Sequence, residues 1–254
     1  MDINRIYRLL RIVRSRFADF SKLRTISSAS ESVDWYRTNG MSMLNGSVIR
    51  AKIIQEIFDL AKCNIFIETG TYHGATAIGI NRFLQAPVWS CESNSLEYFI
   101  SRFFTVGMGG VRLYRQDSRC FLKMAVSKLG KMQSVPFFYL DAHEGRFDRN
   151  SLPLLEEIKI LSAMAEFVVV IDDFCVPHDK GFGYGTYGDH VVGIDLVYDT
   201  LIESKIQSCF FPAYTSSTET GVTRGFCMFW RSGTLDRAVK GELFPFNLIR
   251  AFKL

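Results

Sequence analysis

The sequence predicts an α/β chain, a doubly wound, mostly parallel seven-stranded sheet with an N-terminal helical extension. Three observations predict it. Short apolar runs alternate with helical patterns from residue 46 onward, five of those runs end in or just before a carboxylate, and the last two runs have no helix between them. Regular strand–helix alternation implies parallel strands joined by right-handed crossovers. A closing pair without a crossover helix is antiparallel.

The chain divides into an arm with its linker, residues 1–45, and a single domain, residues 46–254. In residues 3–20, Ile3, Ile6, Leu9, Leu10, Val13, Phe17 and Phe20 recur at helical spacing among arginines. This is a basic amphipathic helix. Residues 1–24 carry seven basic side chains against Asp2 and Asp19, a local +5, so a net charge of +4 leaves the remaining 230 residues near −1. The domain therefore has no excess charge with which to track a phosphate backbone, and nucleic acid is not an expected partner. The arm suits contact with its own domain, with a second subunit in a homo-oligomer, or with anionic lipid at a membrane surface. The serine-rich stretch 25–32 reads as the linker.

No run of eighteen apolar residues is present, and the N-terminus lacks the pattern of a cleaved signal. Six scattered cysteines form no Cys-x-x-Cys pair, and several sit inside apolar runs. They read as small buried hydrophobes in a chain of the reducing cytoplasm.

Element by element, Val48–Ala61 is an amphipathic helix and Asn64–Glu68 a nearly all-apolar strand, as expected where both faces of a parallel sheet are covered. A helix follows at Ala75–Leu84, a strand at Val88–Glu92 and a helix at Leu96–Val106. Next come strand Val111–Arg115, a helix around Phe121–Leu129 and strand Phe137–Asp141. Helix Pro153–Ala165, strand Phe167–Asp172 and helix Val191–Ser204 complete the alternating part. Strands Ser208–Phe211 and Gly225–Trp230 close the sheet.

Open α/β sheets bind ligands at the carboxyl ends of their strands. Here those ends carry Glu68, Glu92, Asp117, Asp141 and the pair Asp172-Asp173. The first turn, Glu68-Thr69-Gly70-Thr71-Tyr72-His73-Gly74, places glycines where backbone must approach a ligand. Its spacing departs from the G-x-G-x-x-G pattern that cradles a pyrophosphate, which argues against a dinucleotide and suits a cofactor with an amino-acid tail. Glu92, at the second strand end and 22 residues after Gly70, is positioned to accept ribose hydroxyls. Asp117-Ser118 either addresses an adenine amino group or caps the following helix. Three carboxylates from adjacent strand ends, Asp141, Asp172 and Asp173, would repel one another unless a hard cation such as Mg²⁺ sat among them. His143 is the best general-base candidate among four histidines. The segment 179–188, with Phe182, Tyr184 and Tyr187 among glycines, suits a lid, and the polar loop 215–224 suits a hydroxylated acceptor.

Glu68-Thr-Gly-Thr-Tyr-His-Gly-Ala-Thr76, Tyr139-Leu-Asp-Ala-His143, Leu152-Pro-Leu-Leu-Glu-Glu157 and Val170-Ile-Asp-Asp-Phe174 resemble class I S-adenosylmethionine-dependent methyltransferases. More closely, they resemble the branch of macrocin-type sugar O-methyltransferases and cephalosporin-hydroxylase-like proteins. The resemblance covers roughly residues 46–230 and implies a Rossmann-like fold. It implies S-adenosylmethionine held by Glu68, Gly70, Thr71, Tyr72, Gly74, Glu92, Asp117, Ser118 and Asp141. It also implies Mg²⁺ on Asp141, Asp172 and Asp173, and the catalytic candidates read from the residues are His143 and Asp141. The expected activity is Mg²⁺-assisted O-methyl transfer to a hydroxylated small molecule or a sugar. The alternatives are another enzyme on the same scaffold, hydroxylase-like or sugar-modifying, and a non-catalytic binding protein that works through its basic arm.

Overall fold

The computed structural model describes residues 43–132, 134–142, 152–240 and 249–254, the backbone alone for 249–253. The basic arm and His143 lie outside the described residues.

Helix α1 (Val48–Leu60) opens on Ser47, whose hydroxyl accepts the Arg50 amide and so satisfies one of the free N–H groups of the first turn. Strand β1 (Ile65–Thr69) follows, then α2 (Ala75–Leu84), β2 (Val88–Glu92), α3 (Ser95–Thr105) and β3 (Val111–Arg115). The second half runs α4 (Ser118–Leu129), β4 (Pro136–Leu140), α5 (Pro153–Leu161) and β5 (Phe167–Asp172). A small hairpin, β6 (Thr186–Tyr187) and β7 (His190–Val191), precedes α6 (Ile194–Glu203). Strands β8 (Ser208–Pro212) and β9 (Phe226–Arg231), helix α7 (Gly233–Lys240) and β10 (Ile249–Lys253) complete the chain.

The main sheet has the order β10-β8-β9-β5-β4-β1-β2-β3. Strands β1 to β5 pair in parallel, and β9 runs antiparallel between β5 and β8. The seven expected strands are therefore present in the expected senses. An eighth, β10, pairs antiparallel with the outer edge of β8 and had no counterpart in the sequence reading, nor had α7.

Side-chain alternation along each strand feeds two cores. On one face Phe66, Tyr139, Val170 and Met228 pack with residues of α1, α2, α3 and α7. On the other, Ile67, Phe138, Leu140, Ile171 and Phe229 pack with residues of α4, α5 and α6. Coverage of both faces explains why β1, β4 and β5 consist of fully buried residues. Met43 and Leu44, placed with the arm from sequence, are buried in the first core, so the packed fold begins before residue 46.

The chain reverses its winding between β1 and β4. That switch point opens a crevice at the carboxyl ends of the strands. Among the described residues no helix is long and apolar enough to cross a membrane. All six cysteines are free, with Cys63, Cys91, Cys209 and Cys227 buried, Cys175 half-buried and Cys120 exposed.

Candidate functional site

A cleft of about 640 Å³ lies over the strand ends, within the usual range for a site that holds a small molecule. Every parallel strand contributes to its wall. Gly70 comes from the end of β1, Cys91 and Glu92 from β2, Gln116 to Ser118 from β3, Asp141 and Ala142 from β4, and Asp173 from β5.

Gly70 is required by its surroundings. Its φ is +83°, and a Cβ there would stand 2.4 Å from the Asp141 carbonyl oxygen. Both are backbone facts, so no rotamer change relieves them. The loop then turns through Tyr72, itself at φ 49°, whose amide donates to Glu92 Oε2 at 2.9 Å. Glu92 Oε1 accepts the Asn94 amide at 2.8 Å. Two backbone donors thus fix the Glu92 carboxylate at the cleft wall, and each oxygen keeps a further acceptor position. Asn94 caps α3 by accepting from the amides of Leu96 and Glu97.

The remaining residues of this loop are buried beneath the cleft. Glu68, Thr71 and Gly74, expected among the cofactor ligands, do not line it. The Thr71 and Ser90 hydroxyls are 2.5 Å apart, and Ser90 donates to Glu68 Oε2 at 2.5 Å, so this chain of polar groups points into the protein. Gly74 is the N-cap of α2 at φ 88°, a backbone role. These three support the loop from beneath the cleft wall. His73, also buried, is within 2.8 Å of Glu97 and stacks under the exposed Tyr72 ring at 3.8 Å.

Burial pushes the Glu68 carboxyl up from 4.5 to about 8, with the Ser90 hydrogen bond pulling the other way. A carboxyl raised on folding contributes stability that is complete below its unfolded pKa and is lost as pH rises through the folded value. The window here runs from about 4.5 to about 8. Glu157 on α5, raised by burial to about 7, adds a loss of the same sign. Melting temperatures measured from pH 5 to pH 8 should therefore fall more steeply for the wild type than for Glu68→Gln. Parallel curves would show that Glu68 does not titrate in this range.

Asp117 caps α4 through the Arg119 amide, which is why that helix starts at Ser118, a turn earlier than the periodicity implied. Its carboxylate is also gripped by the Arg119 guanidinium, with both bonds at 2.9 Å, and this hydrogen bonding holds it below its ordinary pKa. Asp117 and Ser118 both line the cleft.

The expected metal ligands separate. Asp141 and Asp173 line the cleft, whereas Asp172 does not. Asp172 Oδ1 meets Arg50 Nη1 at 2.5 Å and also accepts the Asp173 amide at 2.8 Å. Its Oδ2 accepts from the Tyr139 hydroxyl at 2.6 Å. Arg50 is itself buried. It donates to the Tyr139 oxygen at 3.0 Å and the Arg224 carbonyl at 2.5 Å, and its guanidinium lies 5.1 Å over the Phe226 ring. Asp172 is therefore one half of a buried ion pair, and the proposed three-carboxylate Mg²⁺ set does not fit. Among the described residues no group of three His, Cys, Asp or Glu side chains is placed to hold a metal ion. Asp173 sits at φ 50°, with Arg224 Nε 3.5 Å from Oδ1.

The two loops expected to act as lid and acceptor site clasp each other. Phe182 and Tyr187 are buried in the second core. Asp179 accepts from the Ser216 amide at 2.7 Å, and Gly183 bridges to Arg224. This segment is anchored and does not have the build of a free lid. Sequence reasoning missed Asn45, Asn94 and Glu97 at the cleft, and Arg50 beneath it, while Arg224 ends the loop expected to meet an acceptor. Asn94 carried a legible signal as a helix cap. Arg50 carried none, since it reads as one more polar residue of an amphipathic helix.

No protein-family model matches the sequence, and no curated protein is significantly similar to it. Solved structures do resemble the fold. One from Staphylococcus aureus, described as a caffeoyl-CoA O-methyltransferase, superposes with a TM-score of 0.52 at 13% identity, covering 91% of this chain and all of that one. An O-methyltransferase from Bacillus cereus in complex with SAH gives 0.49 at 15% identity, covering 79% and 89%. Strand order, the antiparallel β9 and the first of these superpositions agree, and the chain has the class I methyltransferase fold.

Proposed function

We propose that the chain is an S-adenosylmethionine-dependent O-methyltransferase whose acceptor is a hydroxylated small molecule or a sugar. The observation that carries this reading is the Glu92 carboxylate, pinned by two backbone amides at the second strand end and facing a cleft large enough for a nucleoside with an amino-acid tail. The side-chain-free Gly70 at the first strand end fits the same group. Oxygen is proposed as the acceptor atom from the motif resemblance and from the description of the S. aureus structure.

In this reading Glu92 accepts the ribose hydroxyls, Asp117 and Ser118 border the base, and Gly70 with Asp141 borders the methionine tail. When bound, S-adenosylmethionine supplies an electrophilic methyl group on a sulfonium. The chain's own task is to aim a hydroxyl oxygen along the line of the breaking carbon–sulfur bond, whose electron pair stays on sulfur. Asp141, at the cleft, takes the hydroxyl proton, or His143 does so two residues later. No step is assigned to a metal. The arm of residues 1–24 is assigned to contact with the domain, with a second subunit or with a membrane surface, and the free cysteines support a cytoplasmic location.

Calorimetry with S-adenosylhomocysteine tests the core of the proposal. Glu92→Ala should weaken binding by about 1.5–3 kcal/mol, the range for a hydrogen bond to a charged group. Unchanged affinity in a variant that melts like the wild type would remove the ribose assignment.

A further inference from the structure

We infer that the Arg50 guanidinium takes the place of a divalent cation at the end of β5, so that this chain binds its ligands and works without a divalent ion. The argument starts from charge. Asp141, Asp172 and Asp173 gather at two neighbouring strand ends, and their mutual repulsion has to be balanced by positive charge. The protein supplies that charge from α1 and from the loop before β9. Arg50 reaches Asp172 at 2.5 Å from below the sheet end, and Arg224 stands 3.5 Å from Asp173 at the cleft wall.

The arrangement leaves little room for an ion. Asp172 is spent on Arg50, Tyr139 and the Asp173 amide, and its side chain is 2% exposed. A metal would have to pull this carboxylate out of a buried pair, leaving the guanidinium in a low-dielectric site with its counter-charge gone. Arg50 cannot swing away, because Tyr139, the Arg224 carbonyl and the Phe226 ring hold it. Its link to the Arg224 carbonyl also ties the buried cation to the exposed one. Arg50 is thus a positioning residue, fixing the Asp172-Asp173 turn and the Arg224 backbone, while Arg224 is the cationic side chain at the cleft itself.

Only the consequence for turnover rests on the methyltransferase reading; ion binding is separate from it. The test uses the full chain with Mg²⁺, Mn²⁺ or Ca²⁺ as the probe. Millimolar concentrations of each should leave the melting temperature unchanged, and Mn²⁺ paramagnetic resonance should show only free ion. S-adenosylhomocysteine affinity should be the same in Mg²⁺ and in EDTA. A saturable rise in melting temperature with Mg²⁺, lost in Asp141→Asn, would overturn the inference. Arg50→Gln, which keeps a donor for Asp172 but removes the charge, should acquire a Mg²⁺-dependent rise. If that variant folds and still ignores every ion, the guanidinium is not what excludes the metal and the inference falls. If it does not fold, the wild-type titration decides alone. Absence of any S-adenosylhomocysteine binding would defeat the methyltransferase reading while leaving the ion titration intact.

Discussion

Gly70→Val should lower the melting temperature sharply and abolish cofactor binding. The first Cβ atom would stand 2.4 Å from the Asp141 oxygen and 2.7 Å from the Asp141 carbonyl carbon, both backbone. A branched residue at φ +83° adds strain of its own. Together these should cost about 3 kcal/mol or more, which for a domain of this size is a fall of roughly 6–12 °C. The turn must open away from β4 to relieve the clash, and that carries the cleft wall with it. Gly109→Ala is the control, since a Cβ there meets nothing within 4 Å. It should be neutral or slightly stabilising through the unfolded chain. Equal losses in the two variants would mean that glycine content, and not the Gly70–Asp141 contact, sets the effect.

A second large effect is expected at Arg50→Met. Removing one partner of a buried pair leaves a charge without compensation and typically costs 3–5 kcal/mol. Lys52→Met, an exposed position on the same helix, should stay within about 0.5 kcal/mol. Adding Asp172→Asn to Arg50→Met should recover part of the loss, because the stranded carboxylate is then gone. A double-mutant cycle on thermal melts measures the coupling. An Arg50→Met variant as stable as Lys52→Met would show that the pair contributes nothing to the fold.

Much of this architecture could be read from residue order. The run Phe167–Asp172 is apolar because β5 has neighbours on both edges and helices on both faces, and its ends were found to the residue. The antiparallel closing pair followed from the lack of a helix between residues 211 and 225. What escaped was decided by tertiary contact. Strand β10 gave no periodic signal in a short C-terminal run, and its place is set by pairing with β8. At the cleft, the strand-end carboxylates Glu92, Asp117 and Asp141 were legible because strand ends are where such sites lie. Asp172 was misread for the same reason. Sequence marks the strand end but not which way the side chain turns, and the partner that turns it inward is 122 residues away.

The order of the strands also bears on how the chain is made. Strand β9 sits between β5 and β8, although it is synthesised after both. Until residues 226–231 leave the ribosome, the far edge of β5 has unsatisfied backbone groups along a strand that is apolar up to Asp172. At ordinary elongation rates the 54 residues separating Asp172 from Phe226 take roughly 3–11 s to appear. For that interval the nascent chain carries a sticky open edge, the kind that pairs with a neighbouring chain. The finished molecule exposes different ones. Its permanent edges are β10 and β3, and β3 exposes Arg112 and Arg115, so charge guards that open side. The edge of β5 is covered only once β9 is made, so aggregation is expected chiefly in chains that stop short of residue 226.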